Sequence, residues 1–439
     1  MNKPKLSIFA KNYLTMIDRK NLAEILIGNR AIVQSINVVR RNITLQKDLR
    51  YVLVGVRRSG KSFMLFQQMQ EFLAAGHSWD EMLYLNFEDD RLIGFDVHDF
   101  QAILDVHEQM CGQKPILFLD EVQNIQGWEK FARRLADQKY MVNITGSNAK
   151  MLSSDVSTTL GGRFMVKNVF PYDFSEYLTA NAVDPDEMFF MNEEERQHHA
   201  EEYLRLGGFP ECATFSAKQE YLRSVYDKIY FGDIVARYNI ENKVALRLMF
   251  SKMAESVMQP ISLTRLTNLL ASVGTKVSKN TVINYAEYAK DAFLILPVKN
   301  FADHFTERET NRKYYFVDNG IISLLTLQNR AALLENLVAV NLLRRYGMDD
   351  RVFYYHFNTE VDFVVPEQEL AIQVCYQLGD ADGETFKRET QSLVKLSKRL
   401  LYKNLMIITF EEEQEIEVGG KVISVVPLWK WLLNENNLI

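Results

Sequence analysis

Gly55-Val56-Arg57-Arg58-Ser59-Gly60-Lys61-Ser62 follows directly on the apolar run Tyr51-Val52-Leu53-Val54 and leads into Phe63-Met64-Leu65-Phe66-Gln67-Gln68-Met69. The eight residues fit the phosphate-binding pattern G-x-x-x-x-G-K-[ST] at each fixed position. Their flanks supply the strand before and the helix after that such a loop needs. Gly55 and Gly60 admit conformations and close approaches that a Cβ blocks, so successive N–H groups turn onto phosphate oxygens. Arg57, Arg58 and Ser59 lie inside this loop. Lys61 is expected to reach the β- and γ-phosphates. Ser62 offers its hydroxyl to Mg²⁺ at the start of a helix whose dipole favours anions, with Phe63 beside it in the first turn. The expected ligand is ATP with Mg²⁺.

A phosphate loop needs a second strand that carries acids, and Ile116-Leu117-Phe118-Leu119-Asp120-Glu121 has that form. Strands buried in a parallel sheet are apolar on both faces, so acids belong at their C-terminal ends, where doubly wound sheets bind ligands. Asp120 is expected to hold the Mg²⁺ shell, and Glu121 to orient or deprotonate the attacking water. Taken alone, an apolar run ending in acids is an ordinary strand end; the preceding loop turns it into a Walker B reading.

The chain has 439 residues, 47% hydrophobic and 25% charged, with net charge −6. That is long enough for two or three domains and ordinary for a soluble globular protein. The start, Met1-Asn2-Lys3-Pro4-Lys5, leads into no sustained apolar stretch, so neither a leader nor a membrane span is expected and a cytoplasmic location follows. Cys111, Cys212 and Cys375 are scattered without C-x-x-C spacing, which indicates neither zinc nor a disulfide framework. The acidic segment Asp184 to Glu202 reads as a solvated helix or linker, whereas Lys243 to Lys313 has a mild basic bias.

Three more apolar runs, Met82 to Phe87, Met141 to Thr145 and Phe164 to Val169, bring the expected strands to five, separated by helical stretches. The fourth run ends in Thr145-Gly146-Ser147-Asn148, where Ser147 and Asn148 either sense the γ-phosphate or cap a turn. With Leu160-Gly161-Gly162-Arg163, Phe170-Pro171-Tyr172-Asp173-Phe174-Ser175-Glu176-Tyr177 and Tyr203-Leu204-Arg205-Leu206-Gly207-Gly208-Phe209-Pro210, the chain resembles the prokaryotic AAA-type ATPases that carry a C-terminal domain of unknown function with a restriction-endonuclease-like core. The resemblance implies a Walker B strand separated from the phosphate-loop strand by an inserted strand. It also implies an arginine for the γ-phosphate, and Arg163 is the candidate, acting on its own nucleotide or on a neighbour's in a homo-oligomer. A structural arginine on a turn is the alternative for Arg163; Arg57 and Arg58 are secondary candidates, at least one of them expected to make structural contacts to the loop.

From Lys243 the pattern changes to three amphipathic helices, Ala245 to Val257, Leu263 to Ser272 and Lys279 to Lys290. Extended stretches at Phe293 to Pro297 and Lys313 to Val317 follow. This reads as a winged helix-turn-helix. Its third helix, residues 279–290, would offer Lys279, Asn280, Asn284 and Tyr288 to double-stranded DNA, or would serve only packing or a protein client. Beyond Ala331 the expected order is α, β, β, β, α, β, that of the restriction-endonuclease-like core. The resemblance implies a Mg²⁺ site of acids from the first helix and two strands, with a lysine polarising water. Glu335 and Asp362 match the first two positions. Gln373-Val374-Cys375 stands where acid-x-lysine is required, so this site is expected to be degenerate, the alternative being that nearby Glu360 or Glu369 compensates as a migrated ligand.

The expected architecture is α/β. A P-loop NTPase domain of AAA type, with a parallel sheet and helices on both faces, spans residues 1–180. A helical linker (181–242), a winged helix (243–330) and a small restriction-endonuclease-like domain (331–439) follow. The expected activity is ATP hydrolysis, catalysed through Glu121, Lys61 and Arg163, with nucleotide state controlling the attached domains. The alternatives are a nucleotide-gated protein-binding regulator without coupled turnover, and an ATP-dependent nuclease.

Overall fold

The structure, a computed structural model, describes residues 17–304, 311–327, 329–348 and 350–434. The opening residues Met1 to Lys5, on which the expectation of no leader rests, lie outside the described residues. Two compact units emerge, one of Met1–Val54 with Lys61–Lys167, the other of Gly55–Gly60 with Asn168–Ile439.

The first unit is built on β1 (Tyr51–Val54), β2 (Met82–Asn86), β3 (Ile116–Asp120), β4 (Val142–Gly146) and β5 (Met165–Asn168), in the order β2-β3-β4-β1-β5. β4 therefore lies between the phosphate-loop strand and the Asp120 strand. The pairs β2–β3, β3–β4 and β1–β4 are parallel. β1 and β4 are buried along their whole length, as strands covered on both faces must be. Register aligns the C-terminal ends: Asn86 faces Asp120, Leu119 faces Ile144, and Val54 faces Gly146. Parallel pairing thus gathers the polar ends of separate runs along one edge of the sheet.

The second unit combines helices Phe174–Ala180, Glu193–Leu206, Lys218–Asp227, Lys243–Glu255, Leu263–Ser272 and Lys279–Asp291 with a nine-stranded sheet. Asn192 caps the acidic helix Glu193–Leu206 by accepting from the Glu195 N–H, and its three first-turn glutamates favour the positive end of the dipole. The strands are β6 (Ile261–Ser262), β7 (Ile295–Asn300), β8 (Asn311–Phe316), β9 (Phe353–His356), β10 (Glu360–Val365), β11 (Leu370–Val374), β12 (Asn404–Thr409), β13 (Gln414–Val418) and β14 (Lys421–Pro427). Their order is β13-β14-β12-β11-β10-β9-β7-β8-β6, so one sheet runs through residues 261–427. The link is the parallel pair β7–β9, where Lys299 faces Phe353 and Asn300 faces Tyr354.

The stretch expected to be extended from Phe293 begins as a strand only at Ile295. Phe293 itself sits at φ 55°, ending the preceding helix with a left-handed residue. Helices Arg330–Tyr346 and Glu384–Leu400 flank β9, β10 and β11 in the chain, and β12 follows the second, so the elements occur in the order α, β, β, β, α, β.

Candidate functional site

In the first unit the end of β3 carries a buried polar cluster. Asp120 is 1% exposed. One of its oxygens accepts from the Thr145 hydroxyl and the other from the Tyr84 phenol at 2.7 Å, and the Ser62 hydroxyl also bonds to it. Burial pushes its pKa up, and the neighbouring Glu121 charge adds to the shift. Ser62 and Asp120 thus bring hydroxyl and carboxylate oxygens together. That donor chemistry fits a hard cation such as Mg²⁺, whose charge would relieve the buried carboxylate.

Glu121 follows in a left-handed conformation, φ 51°, unusual for a residue with a Cβ. Its N–H donates to Thr145 Oγ1 at 2.9 Å. One carboxylate oxygen lies 3.5 Å from Lys61 Nζ; the other accepts from Ser147 Oγ at 2.9 Å and from Gln123 Nε2 at 2.6 Å. The backbone turn at the strand end therefore aims this acid at Lys61. Asn148 serves as the cap of the turn Ala149–Leu152, accepting from the Lys150 N–H at 2.8 Å. Phe63 is 41% exposed beside Phe66, with ring centroids 5.4 Å apart.

Tyr84 and Gln123 were not anticipated as members of this cluster, and Thr145 was named only as part of the polar end of the fourth run. Thr145 had a signal, since it begins the polar end of β4 one strand away from Asp120. Gln123 explains Gly146: a Cβ at residue 146 would collide with the Gln123 amide and the Met151 sulfur.

Arg163 bonds Asp137 Oδ1 through Nε at 2.6 Å and approaches the carbonyls of Gly161 and Leu160 at 3.3 and 3.4 Å. It is one-third exposed and closes the C-terminal turn of the helix Ser154–Leu160.

In the second unit, Gly55–Gly60 is fastened through its arginines. Arg57 Nε and a terminal nitrogen reach the two Asp233 oxygens at 2.9 and 3.2 Å, a bidentate pair with side-chain exposures of 15% and 3%. Asp233 also accepts from Arg237 at 3.2 Å and lies in the π-helical stretch Lys228–Ala236, a rare geometry that recurs at functional sites. Arg58, at φ 62°, pairs with Glu211 and lies 5.8 Å from the Tyr221 ring centroid.

The C-terminal residues singled out from the sequence converge only in part. Glu335 and Asp362 come together on an amine that sequence reading missed, Lys313 of β8, at 3.0 and 3.4 Å from Nζ. Gln373 accepts from the Asp362 N–H at 2.9 Å and donates to the Glu360 carbonyl at 3.2 Å. Cys375 belongs to the apolar cluster under Leu393 and Leu396, and burial pushes its thiol up to about 12. On the helix Lys279–Asp291, Lys279, Asn280 and Asn284 are exposed, while Tyr288 stacks on Tyr238 with centroids 3.7 Å apart.

Residues 48–178 match a family model described as an AAA domain, and residues 197–332 match a domain of unknown function (DUF8612). An uncharacterised protein of Methanocaldococcus jannaschii is 34% identical over 436 residues, covering 95% of this chain and 97% of the relative. An uncharacterised protein of Haemophilus influenzae is 29% identical, covering 92% of this chain and 100% of its own. Among solved structures, a Walker-type ATPase of Pyrococcus abyssi is 15% identical with a TM-score of 0.39, covering 72% of this chain and 97% of that one, a likeness too slight to bear on function. No helix among the described residues is long and apolar enough to cross a membrane. With a parallel sheet, a phosphate-loop sequence and 34% identity to the Methanocaldococcus protein over nearly the full length of both chains, the chain belongs to that protein's family and carries an AAA-type P-loop domain at residues 48–178.

Proposed function

We propose that the protein is an ATP hydrolase whose nucleotide state is passed to its second unit. The observation that carries this reading is Glu121, held at the end of β3 with one oxygen 3.5 Å from Lys61 and the other on Ser147. Ser62 and Asp120 would hold Mg²⁺, which would neutralise charge on the phosphates. Lys61 neutralises the β- and γ-phosphates, and its move onto phosphate frees the Glu121 oxygen it now faces to orient water. Ser147 holds the other Glu121 oxygen, fixing the direction in which a proton is accepted. Arg163 is a γ-phosphate arginine only if it leaves Asp137, and a homo-oligomer offers it a neighbour's nucleotide.

Arg57 and Arg58 provide the outlet for the signal. They tie Gly55–Gly60 to Asp233 and Glu211, so a loop that reshapes around phosphate pulls on both carboxylates. The segment 243–330 is assigned as a winged helix and 331–439 as a restriction-endonuclease-like module, with 181–242 as the helical linker after the ATPase segment. Double-stranded DNA along residues 279–290 or a protein client is the partner.

Steady-state phosphate release by wild type, Lys61→Ala and Glu121→Gln tests the enzyme reading; equal rates in all three would sink it. DNA stimulation of turnover that fades at higher salt is the expected result for a DNA client, and indifference to DNA points to protein. One observation favours a nucleotide-gated binding protein instead: Gln123 and Ser147 both occupy the Glu121 oxygen that is not on Lys61. That reading requires tight ATP binding with turnover unchanged by Glu121→Gln.

A further inference from the structure

Lys313 has no exposed surface, and a buried ammonium must be paired. β8 alternates faces, so Lys313 and Tyr315 point the same way. Both donate to one oxygen of Glu335, the amine at 3.0 Å and the phenol at 2.8 Å. β10 turns Asp362 and Glu360 to the same amine, at 3.4 and 3.6 Å. The Tyr354 ring covers another side, its centroid 5.7 Å from Nζ. Burial by itself would lower the pKa of this amine, but the charges of Glu335, Asp362 and Glu360 hold it above its ordinary value.

The floor of the pocket is fixed by backbone. The second Asp362 oxygen accepts from the Val374 N–H at 2.9 Å, and Gln373 spends both ends of its amide on β10. The β9–β10 register shifts between Val361 and Val364, around Asp362, a bulge of the kind that re-aims a side chain. Three carboxylates from one helix and one strand thus converge on a point, and that point is occupied by nitrogen.

We propose that Lys313 is a built-in cation: its ammonium fills the place of a divalent ion among Glu335, Asp362 and Glu360, leaving a latent Mg²⁺ or Mn²⁺ site that opens only when this side chain is removed. Both cations seek the same carboxylate oxygens, and a metal ion brought beside a buried ammonium meets like charge where screening is weak. The lysine reaches the pocket from β8, far in sequence from Gln373 and Cys375, so the side chain that closes the pocket lies outside the run that holds Glu360, Asp362 and Gln373.

Mn²⁺ binding to the full chain without nucleotide, counted by electron paramagnetic resonance, tests it. Wild type and Asp362→Asn should hold the same number of ions. Lys313→Ala should hold one more, and Lys313→Ala/Asp362→Asn should lose it again. An ion that wild type binds and Asp362→Asn loses would overturn the proposal, since metal and lysine would then coexist as in a hydrolytic site. A folded Lys313→Ala that gains no ion overturns it equally. If Lys313→Ala does not fold unaided, Mn²⁺ must restore the fold, and failure to do so counts against the built-in cation.

Discussion

Two lysine–carboxylate clusters, one in each unit, differ in what surrounds the amine. Lys61, itself nearly fully buried, lies 3.5 Å from one Glu121 oxygen at the C-terminal end of a parallel sheet and follows a loop sequence made for phosphate. Lys313 lies within 3.6 Å of three carboxylates and is sealed by Tyr315 and Tyr354. The first amine faces a Glu121 oxygen that it would give up when an anion arrives. The second already has more negative charge than it can balance, so it serves as counter-ion to its own fold. Equal chemistry at the side chain thus yields an exchangeable contact in one place and a fixed one in the other.

The comparison predicts a crossover in mutant effects. Lys313→Ala leaves buried carboxylates uncompensated and should cost about 3–5 kcal/mol of stability, read as a drop in the denaturation midpoint. A change under about 1 kcal/mol would break the contrast. Lys61→Ala should lower ATP turnover by about a hundredfold or more, in line with the loss of one preorganised transition-state group, while moving the midpoint far less than Lys313→Ala does. Thr145→Val removes the hydroxyl that donates to Asp120 and accepts from Glu121, and should cost about 1–3 kcal/mol together with a fall in turnover. Differential scanning and phosphate release on one preparation check both.

A pH experiment sharpens the same contrast. Burial pushes Glu335 up to about 7, partly offset by Lys313. A carboxyl whose folded pKa is raised contributes stability that is complete below its unfolded value of about 4.3 and is lost as pH rises through the folded value. Wild type should therefore lose stability relative to Glu335→Gln between about pH 5 and pH 8. A constant gap between the two melting curves across that range would show that Glu335 does not titrate there. The smallest effect belongs to Asn148→Ala, which removes a cap and should cost about 1 kcal/mol. A much larger loss of turnover than of stability would move Asn148 from the turn to the nucleotide.

Legibility followed the range of the interactions involved. Lys61, Ser62, Asp120 and Glu121, singled out from the sequence, do come together in space, because each lies in a short contiguous run at or just after a strand end. The glycine pair Gly207-Gly208 carried a family resemblance, and its cause is a long-range contact. A Cβ at residue 208 would collide with the Tyr172 carbonyl, to whose residue Gly208 is also bonded by backbone. Lys313 was invisible as a site residue because it lies 22 residues from Glu335 and 49 from Asp362, in a strand otherwise read as part of a wing. Arg57 and Arg58 were in plain view, but their partners Asp233 and Glu211 were not, since no local pattern marks an acid that answers an arginine more than 150 residues away. The hairpin of β13 and β14 did have a local signal that went unused: Gly419-Gly420, both at positive φ, between Val418 and Lys421.

The continuous sheet has a practical consequence for anyone dissecting the protein. The match to the domain of unknown function stops at residue 332, between β8 and β9, while β7 is bonded to both of those strands. A fragment ending there strips β7 of one neighbour, and a fragment beginning there strips β9 of the same bond, leaving each with a bare strand edge of the kind that templates aggregation. Insolubility of either half would then report a severed ladder of hydrogen bonds.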